Sequence, residues 1–415
     1  MLAADFVAHF SSQVRRGEWG SGRSGPRAYR RADGRSCVRI PQDALPTWPR
    51  TPDWPILCAA QSPNEHGARS MNILVTGGAG YIGSHAVKRL LRDGHAVTVI
   101  DNLVRGHAGA IERLRTIAPD RLVFHEGDVG DRALVDHALR EGAVEAVMHF
   151  AALAYVGESV TQPLRYHRNN TAAALSLIEA CDAAGVERFI FSSTCATYGE
   201  PPEEMIPIRE TTPQKPINPY GWSKLHVERI LSDSADACAA AGRPFSYAAL
   251  RYFNVAGSDR DGLIGEHHEP ETHLIPLVLQ AAAGVRDAIT IFGTDYPTPD
   301  GTCIRDYVHV EDLVDAHVAV MHALDPEHPG CDRRIYNLGI GQGYSVREVI
   351  DASARVTGKK IPVKEGERRP GDPPRLFADP SKILAELGWS ASITDLEQII
   401  ATAWRWMREH PKGYV

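Results

Sequence analysis

Cysteine is sparse: seven residues, an odd number, are scattered over 415 positions without a CxxC pair. That leaves no disulfide framework and no cysteine-held zinc to expect, and it suits a reducing compartment. No apolar run approaches the length of a membrane span. An excess of positive charge is missing as well. With 45 basic and 52 acidic side chains the net charge is −7, so nucleic acid is not expected as the main partner, and an anionic ligand has to be met by local arginines. Lysine is absent from residues 1–70, a stretch with ten arginines, six acidic residues and no sustained helical or strand period. Arg15 and Arg16 lack the apolar segment that a twin-arginine signal carries behind them. Residues 1–70 therefore read as an N-terminal extension: a disordered tail, a targeting peptide, or a start assigned too far upstream. Met71, directly before the first strand, favours the last.

What is present begins with bulk: 43% apolar and 23% charged residues over 415 positions, enough for one large or two ordinary globular domains. The stretch from Ile73 to Asp101 then reads as strand, glycine turn, helix, strand and acid, the order of a first dinucleotide-binding βαβ unit. Ile73, Leu74 and Val75 form a buried parallel strand. Gly77 or Gly78 allows the turn, Gly80 allows backbone to approach a pyrophosphate, and Gly83 allows the helix to pack on the strand. The helix start aims its N–H groups at the phosphates. Asp101, at the end of the strand Ala96 to Ile100, can accept from a ribose diol and would repel a 2′-phosphate, which predicts NAD over NADP. Arg105 is expected as a solvated loop residue, although an arginine here could also pair with a 2′-phosphate.

Strands and helices alternate from Met71 onward, predicting an α/β fold with a doubly wound, Rossmann-like parallel sheet. Further strands are expected at Leu122 to His125, Ala146 to Phe150 and Arg188 to Ser193, with a long helix from about Pro163 to Ala184. Asp128 and Val129 fall where an adenine would lie, and either an adenine amine contact or a plain strand-end loop suits the acid. Small residues at Ala151 and Ala152 leave room for a cofactor at the carboxyl edge of the sheet. Ser192, Ser193 and Thr194 leave the fifth strand, and Tyr220 and Lys224 lie four apart in NPYGWSK, so phenol and ammonium share a helix face. An ammonium beside the phenol is expected to lower its pKa from about 10 and make Tyr220 a general base, with Thr194 steering a substrate hydroxyl.

With TGGAGYIGSH, IDNL, HFAAL followed by VGES, FSSTCATYG, NPYGWSK, LRYFNVAG, GTCIRDYVHV, IYNLG and GD before FAD, the chain from Met71 to Val415 resembles the UDP-glucose 4-epimerases. These belong to the extended short-chain dehydrogenase/reductase family. The resemblance implies an NAD-dependent isomerase that interconverts UDP-glucose and UDP-galactose through a 4-keto intermediate, a step of galactose metabolism, and that works as a homodimer. It implies Thr194, Tyr220 and Lys224 as the catalytic trio. It extends the cofactor contacts to Tyr81, Ile82, Asn102, Phe150, Asn169, Ser192 and Tyr252. Asn254, Arg305 and Arg369 are implied on the uridine diphosphate, Asp372 on the uridine ribose, and Thr272, His273 and Leu274 on uracil. Paired arginines suit a diphosphate because the guanidinium binds it bidentately.

The departures from the family pattern are absences too. Ala154 stands where many relatives carry a cofactor-touching lysine, and Thr194 where serine is common. Leu376 falls between the large and small residues that close or open the sugar pocket to an N-acetyl group, leaving UDP-N-acetylhexosamines open. Cys195 and Ala196 occupy the positions where related dehydratases carry an acid pair, and Ala196 also lacks the glutamate of related decarboxylases, so neither reaction is expected. A UDP-pentose or UDP-uronate 4-epimerase and a non-catalytic NAD-binding protein remain alternatives. An NAD-binding part over 71–255 and a smaller C-terminal α/β substrate part over 256–415 are expected. His267, His268 and His273 with Glu266, Glu269 and Glu271 are expected in a solvated loop, with no metal. Cysteine usage, cofactor and the lack of a recognisable signal together predict a cytoplasmic protein.

Overall fold

The computed structural model describes residues 28–30, 36–38, 69–369 and 372–414. The chain falls into two units, Met1–Ala60 and Gln61–Val415. In the first, Ala28–Arg30 and Ser36–Val38 pair antiparallel; the rest of the expectation for residues 1–70 lies outside the described residues.

In the second unit seven parallel strands form the central sheet. They are β1 (Asn72–Thr76), β2 (Ala96–Asp101), β3 (Leu122–Glu126), β4 (Ala146–His149), β5 (Arg188–Thr194), β6 (Ser246–Tyr252) and β7 (Asp332–Leu338). Their spatial order is β7-β6-β5-β4-β1-β2-β3, so the strand order reverses between β1 and β4, where such sheets open a ligand crevice. Alternation explains burial on both faces. Ile73 and Val75 of β1 join one apolar cluster with Val97, Val99 and Met148, while Leu74 joins the opposite one with Val147, Phe189 and Phe191. Each such side chain contributes about 1.5–3 kcal/mol of burial.

Three helices matter for the site: α1 (Tyr81–Arg92), α2 (Pro219–Ala241) and α3 (Val310–Ala323). In α2, Asn218 caps the start by accepting from the Gly221 N–H at 2.8 Å, and Pro219 occupies the first turn, where no N–H is needed. Lys224, Val227, Leu231, Ala235 and Cys238 are buried at three- and four-residue spacing, so Lys224 lies on the stripe facing the sheet.

The smaller sheet places Gly343–Ser345, Ile304–His309 and Arg375–Leu376 side by side, with Asn254–Ala256 also paired to Ile304–His309. The chain does not leave the large sheet for good at residue 256: β7 pairs with β6 along seven residues, Asp332 to Leu338. The helix expected from Pro163 to Ala184 is interrupted by a π segment, His167–Ala172, a widened turn of the kind found beside functional sites. Among the described residues no helix is long and apolar enough to cross a membrane.

Candidate active site

One cavity of about 480 Å³ opens at the carboxyl edge of the sheet. Its cofactor end is the glycine turn after β1. Gly77 has φ +74, and a Cβ there would stand 2.6 Å from the Ala151 nitrogen; a Cβ on Gly83 would stand 2.1 Å from the Gly77 carbonyl oxygen. Only hydrogen fits at these two positions, which lets β1, β4 and α1 converge. Gly83→Ala is therefore expected to cost about 1–3 kcal/mol of stability and to leave the purified protein without bound dinucleotide. Urea unfolding and absorbance of the released nucleotide measure both, and full nucleotide content would contradict the assignment.

The start of α1 carries no side-chain cap and no acid in its first turn, so its N–H groups and positive end stay available to an anion. Asp101 accepts from the Ala79 N–H at 3.0 Å and the Leu103 N–H at 2.9 Å, and burial raises its pKa against these two bonds. Asn102 donates to Asp128 at 2.9 Å. Tyr81, Ile82, Val129, Phe150, Ala151, Asn169 and Tyr252 join the same lining; Asn169 reaches it from the π segment.

Arg105 corrects its expected solvated setting. Its guanidinium donates to Glu158 at 3.2 Å and to the Glu269 carbonyl at 2.9 Å, and lies 4.4 Å over the Tyr155 ring. Held this way, it ties its own loop to the helix Val156–Thr161 and to the loop at Glu269 on the wall of the cavity, which Ala154 also lines.

At the middle of the cavity Thr194, Tyr220 and Lys224 meet. The Lys224 ammonium donates to the Ser192 carbonyl at 2.7 Å. Its pKa falls to about 7 through burial. Burial pushes the Tyr220 phenol up to about 12, and a hydrogen bond with Thr194 pulls only partly the other way. The expected depression of the tyrosine by Lys224 is thus overturned for the protein groups taken alone, because the same burial that raises the phenol also discourages the ammonium charge.

At the far end Asn254, His273, Leu274, Arg305, Asp372 and Leu376 line the cavity. Arg305 is ion-paired with Asp372 and donates to the Ile304 carbonyl at 2.7 Å. Neighbouring Asp306 points away, accepting from the N–H groups of Ile340, Gly341 and Ala378 at 2.8–3.1 Å, while burial lifts it to about 6. Two predicted residues stand apart. Thr272 is exposed outside the lining, and Arg369 is exposed with its guanidinium 4.0 Å over the Phe292 ring. Arginine favours an aromatic face over bare solvent, and that contact turns it from the cavity.

The solvated histidine loop is also corrected. The Glu266 and Glu271 side chains are only 4% and 7% exposed, and both face His268 and His273. Burial lowers both rings, but the carboxylates outweigh it and hold them up to about 9 and about 10. His267 leaves this group and stacks on His107 at 4.3 Å.

Residues 73–339 match the model of the NAD dependent epimerase/dehydratase family. The chain belongs to that family. NAD is the cofactor of this epimerase/dehydratase chain, and the glycine cradle, the uncapped α1 start and Asp101 fit it. The chain is 49% identical to the UDP-glucose 4-epimerase of Streptococcus mutans serotype c over 83% of this chain and 99% of the relative. It is 47% identical to probable UDP-arabinose 4-epimerase 3 of Oryza sativa subsp. japonica, over 85% and 86%. Among solved structures it matches UDP-glucose-4-epimerase from Stenotrophomonas maltophila with bound NAD and formylated UDP-arabinopyranose. That match has TM-score 0.77 and 41% identity over 82% of this chain and 99% of that one.

Several lining residues of this family member were not singled out from sequence: Asn218, Phe253, Tyr307 and Pro373. Tyr307 had a signal, since it lies two residues after Arg305 on a strand and so shares its face. Asn218 had one too, as the cap before Pro219.

Proposed function

We propose that the chain is a UDP-sugar 4-epimerase that interconverts UDP-glucose and UDP-galactose. The observation that carries this reading is the meeting of Thr194, Tyr220 and Lys224 in the cavity that also holds the glycine turn, with Cys195 and Ala196, not carboxylates, beside them. Bound NAD supplies the two-electron acceptor and donor at sugar C4, and its oxidised form adds positive charge. Tyr220 takes the proton from the 4-hydroxyl as the C4–H bond breaks and the C4=O bond forms. It gives the proton back when the opposite face is reduced. Thr194 hydrogen-bonds that hydroxyl, and Lys224 supplies positive charge behind the tyrosine in its protonated form. Arg305 anchors the diphosphate, exchanging part of its pairing with Asp372 for phosphate oxygens, and Asp372 is freed for the uridine ribose. An anchored nucleotide with a loosely held sugar lets the keto sugar turn without leaving. A homodimer, as the family resemblance implies, and a cytoplasmic setting belong to the same proposal.

A second reading, a UDP-arabinose 4-epimerase, is favoured by the rice relative at 47% identity. Purified protein incubated with UDP-galactose, UDP-arabinopyranose or UDP-N-acetylgalactosamine, without added NAD, separates them by proton NMR. Conversion of UDP-galactose is expected. Conversion of the pentose alone would establish the second reading, and conversion of the acetamido sugar would mean that Leu376 leaves the pocket open. No conversion of any of the three, with NAD added, would overturn the proposal.

A further inference from the structure

We propose that Glu266, His268, Glu271 and His273 form a structural site for a divalent transition metal, with zinc as the best fit. One ligand atom from each lies within 4.8 Å of all the others. The Nδ1 atoms of both histidines face the carboxylates. His268 Nδ1 stands 3.3 Å from Glu266 and 3.6 Å from Glu271, and His273 Nδ1 stands 2.7 Å and 3.4 Å from the same two residues. Four donors about 2.0–2.1 Å from zinc in a tetrahedron are roughly 3.3–3.5 Å apart. With Glu266 Oε1 and Glu271 Oε2 as the ligand atoms, His268 Nδ1 stands 3.3 and 3.6 Å from them, close to those edges, and the 2.7 Å contact of His273 Nδ1 with Glu266 Oε1 is a hydrogen bond that a metal would replace.

A second observation points the same way. His268 Nδ1 is buried and has no hydrogen-bond partner, although two carboxylate oxygens lie within reach. A buried nitrogen ion-paired with two carboxylates at 3.3 and 3.6 Å, neither contact a well-aligned hydrogen bond, is placed to share one atom with both. The outer contacts are those of a ligand set as well. The free side of Glu271 is fixed by the N–H groups of Thr272 and His273 at 2.7 and 2.8 Å, and Tyr81 and Tyr155 pack edge-on against the His268 ring.

Two imidazoles with two carboxylates and no sulfur disfavour copper(I), and the imidazoles disfavour magnesium and calcium, which take oxygen. Two carboxylate charges balance a dication, whose binding displaces the protons on His268 and His273. Four protein ligands leave no open position, so the metal would brace the loop without reacting. His268 and His273 also line the cavity, so the brace would set one of its walls.

Full-length protein, stripped with chelator and dialysed, is titrated with zinc chloride and with magnesium chloride by calorimetry, and metal is counted by plasma mass spectrometry. The expected result is one zinc per chain, no magnesium, and a thermal midpoint that rises with zinc. His268→Gln and Glu266→Gln are each expected to lose stoichiometric zinc, with circular dichroism reporting whether they fold. Absence of zinc binding in the wild-type chain would overturn the proposal. So would unchanged zinc binding in either folded variant.

Discussion

Replacing Tyr220 by phenylalanine is expected to lower turnover about 100- to 10,000-fold while UDP binds as before. The substitution removes one oxygen and keeps the ring, so α2 and its buried stripe are undisturbed. Without the hydroxyl, no group on this chain at the meeting point of Thr194 and Lys224 can carry the proton of the 4-hydroxyl. Lys224 is the nearest alternative, since burial brings it to about 7, but its ammonium is directed at the Ser192 carbonyl. Steady-state rates with UDP-galactose and calorimetry with UDP test the two halves separately. Turnover near the unsubstituted rate would refute the role of Tyr220, and loss of UDP affinity would show that the substitution damaged the cavity itself.

Arg251→Ala is expected to destabilise the protein by about 3–5 kcal/mol, because it strands a buried carboxylate. Arg251 sits in β6, a strand buried throughout, and grips both oxygens of Glu228 at 3.0 and 2.7 Å. It also donates to the Tyr198 hydroxyl at 2.8 Å and the Glu210 carbonyl at 3.2 Å. Glu228 in turn accepts from Ser193, next to Thr194, and from Gln214 at 3.1 Å. The pair thus ties α2, β6 and the catalytic end of β5 together. Replacing both partners by apolar residues of similar volume is expected to recover most of the loss, since no charge is left unpaired. Urea midpoints of single and double variants measure this, and a single variant within 1 kcal/mol of the parent would contradict it.

This network shows where reading the sequence stopped. Arg251 stands in an apolar strand, which marks it as unusual, but its partner lies in α2, 23 residues away, and no local pattern names it. Arg305 and Asp372 are 67 residues apart, and Arg105 reaches across 53 residues to Glu158 and 164 to Glu269. The π segment around Asn169 was read as ordinary helix because His167–Ala172 is nearly all polar and carries no apolar spacing that would mark a widened turn. The buried setting of Glu266 and Glu271 was hidden by a loop composition that resembles a solvated one.

The sequence by itself determined the first βαβ unit, the strand ends and the Tyr220–Lys224 face. Each depends on turn chemistry or a repeat period acting over a few neighbouring residues, where covalent connection does the placing. Only the tertiary structure decided that Arg369 lies against Phe292 and outside the cavity, that Arg105 clasps its wall, and that burial lifts Tyr220 while lowering Lys224. Those outcomes depend on which distant surfaces meet and exclude water, and the free energy of a charge follows its surroundings in space and not its neighbours along the chain.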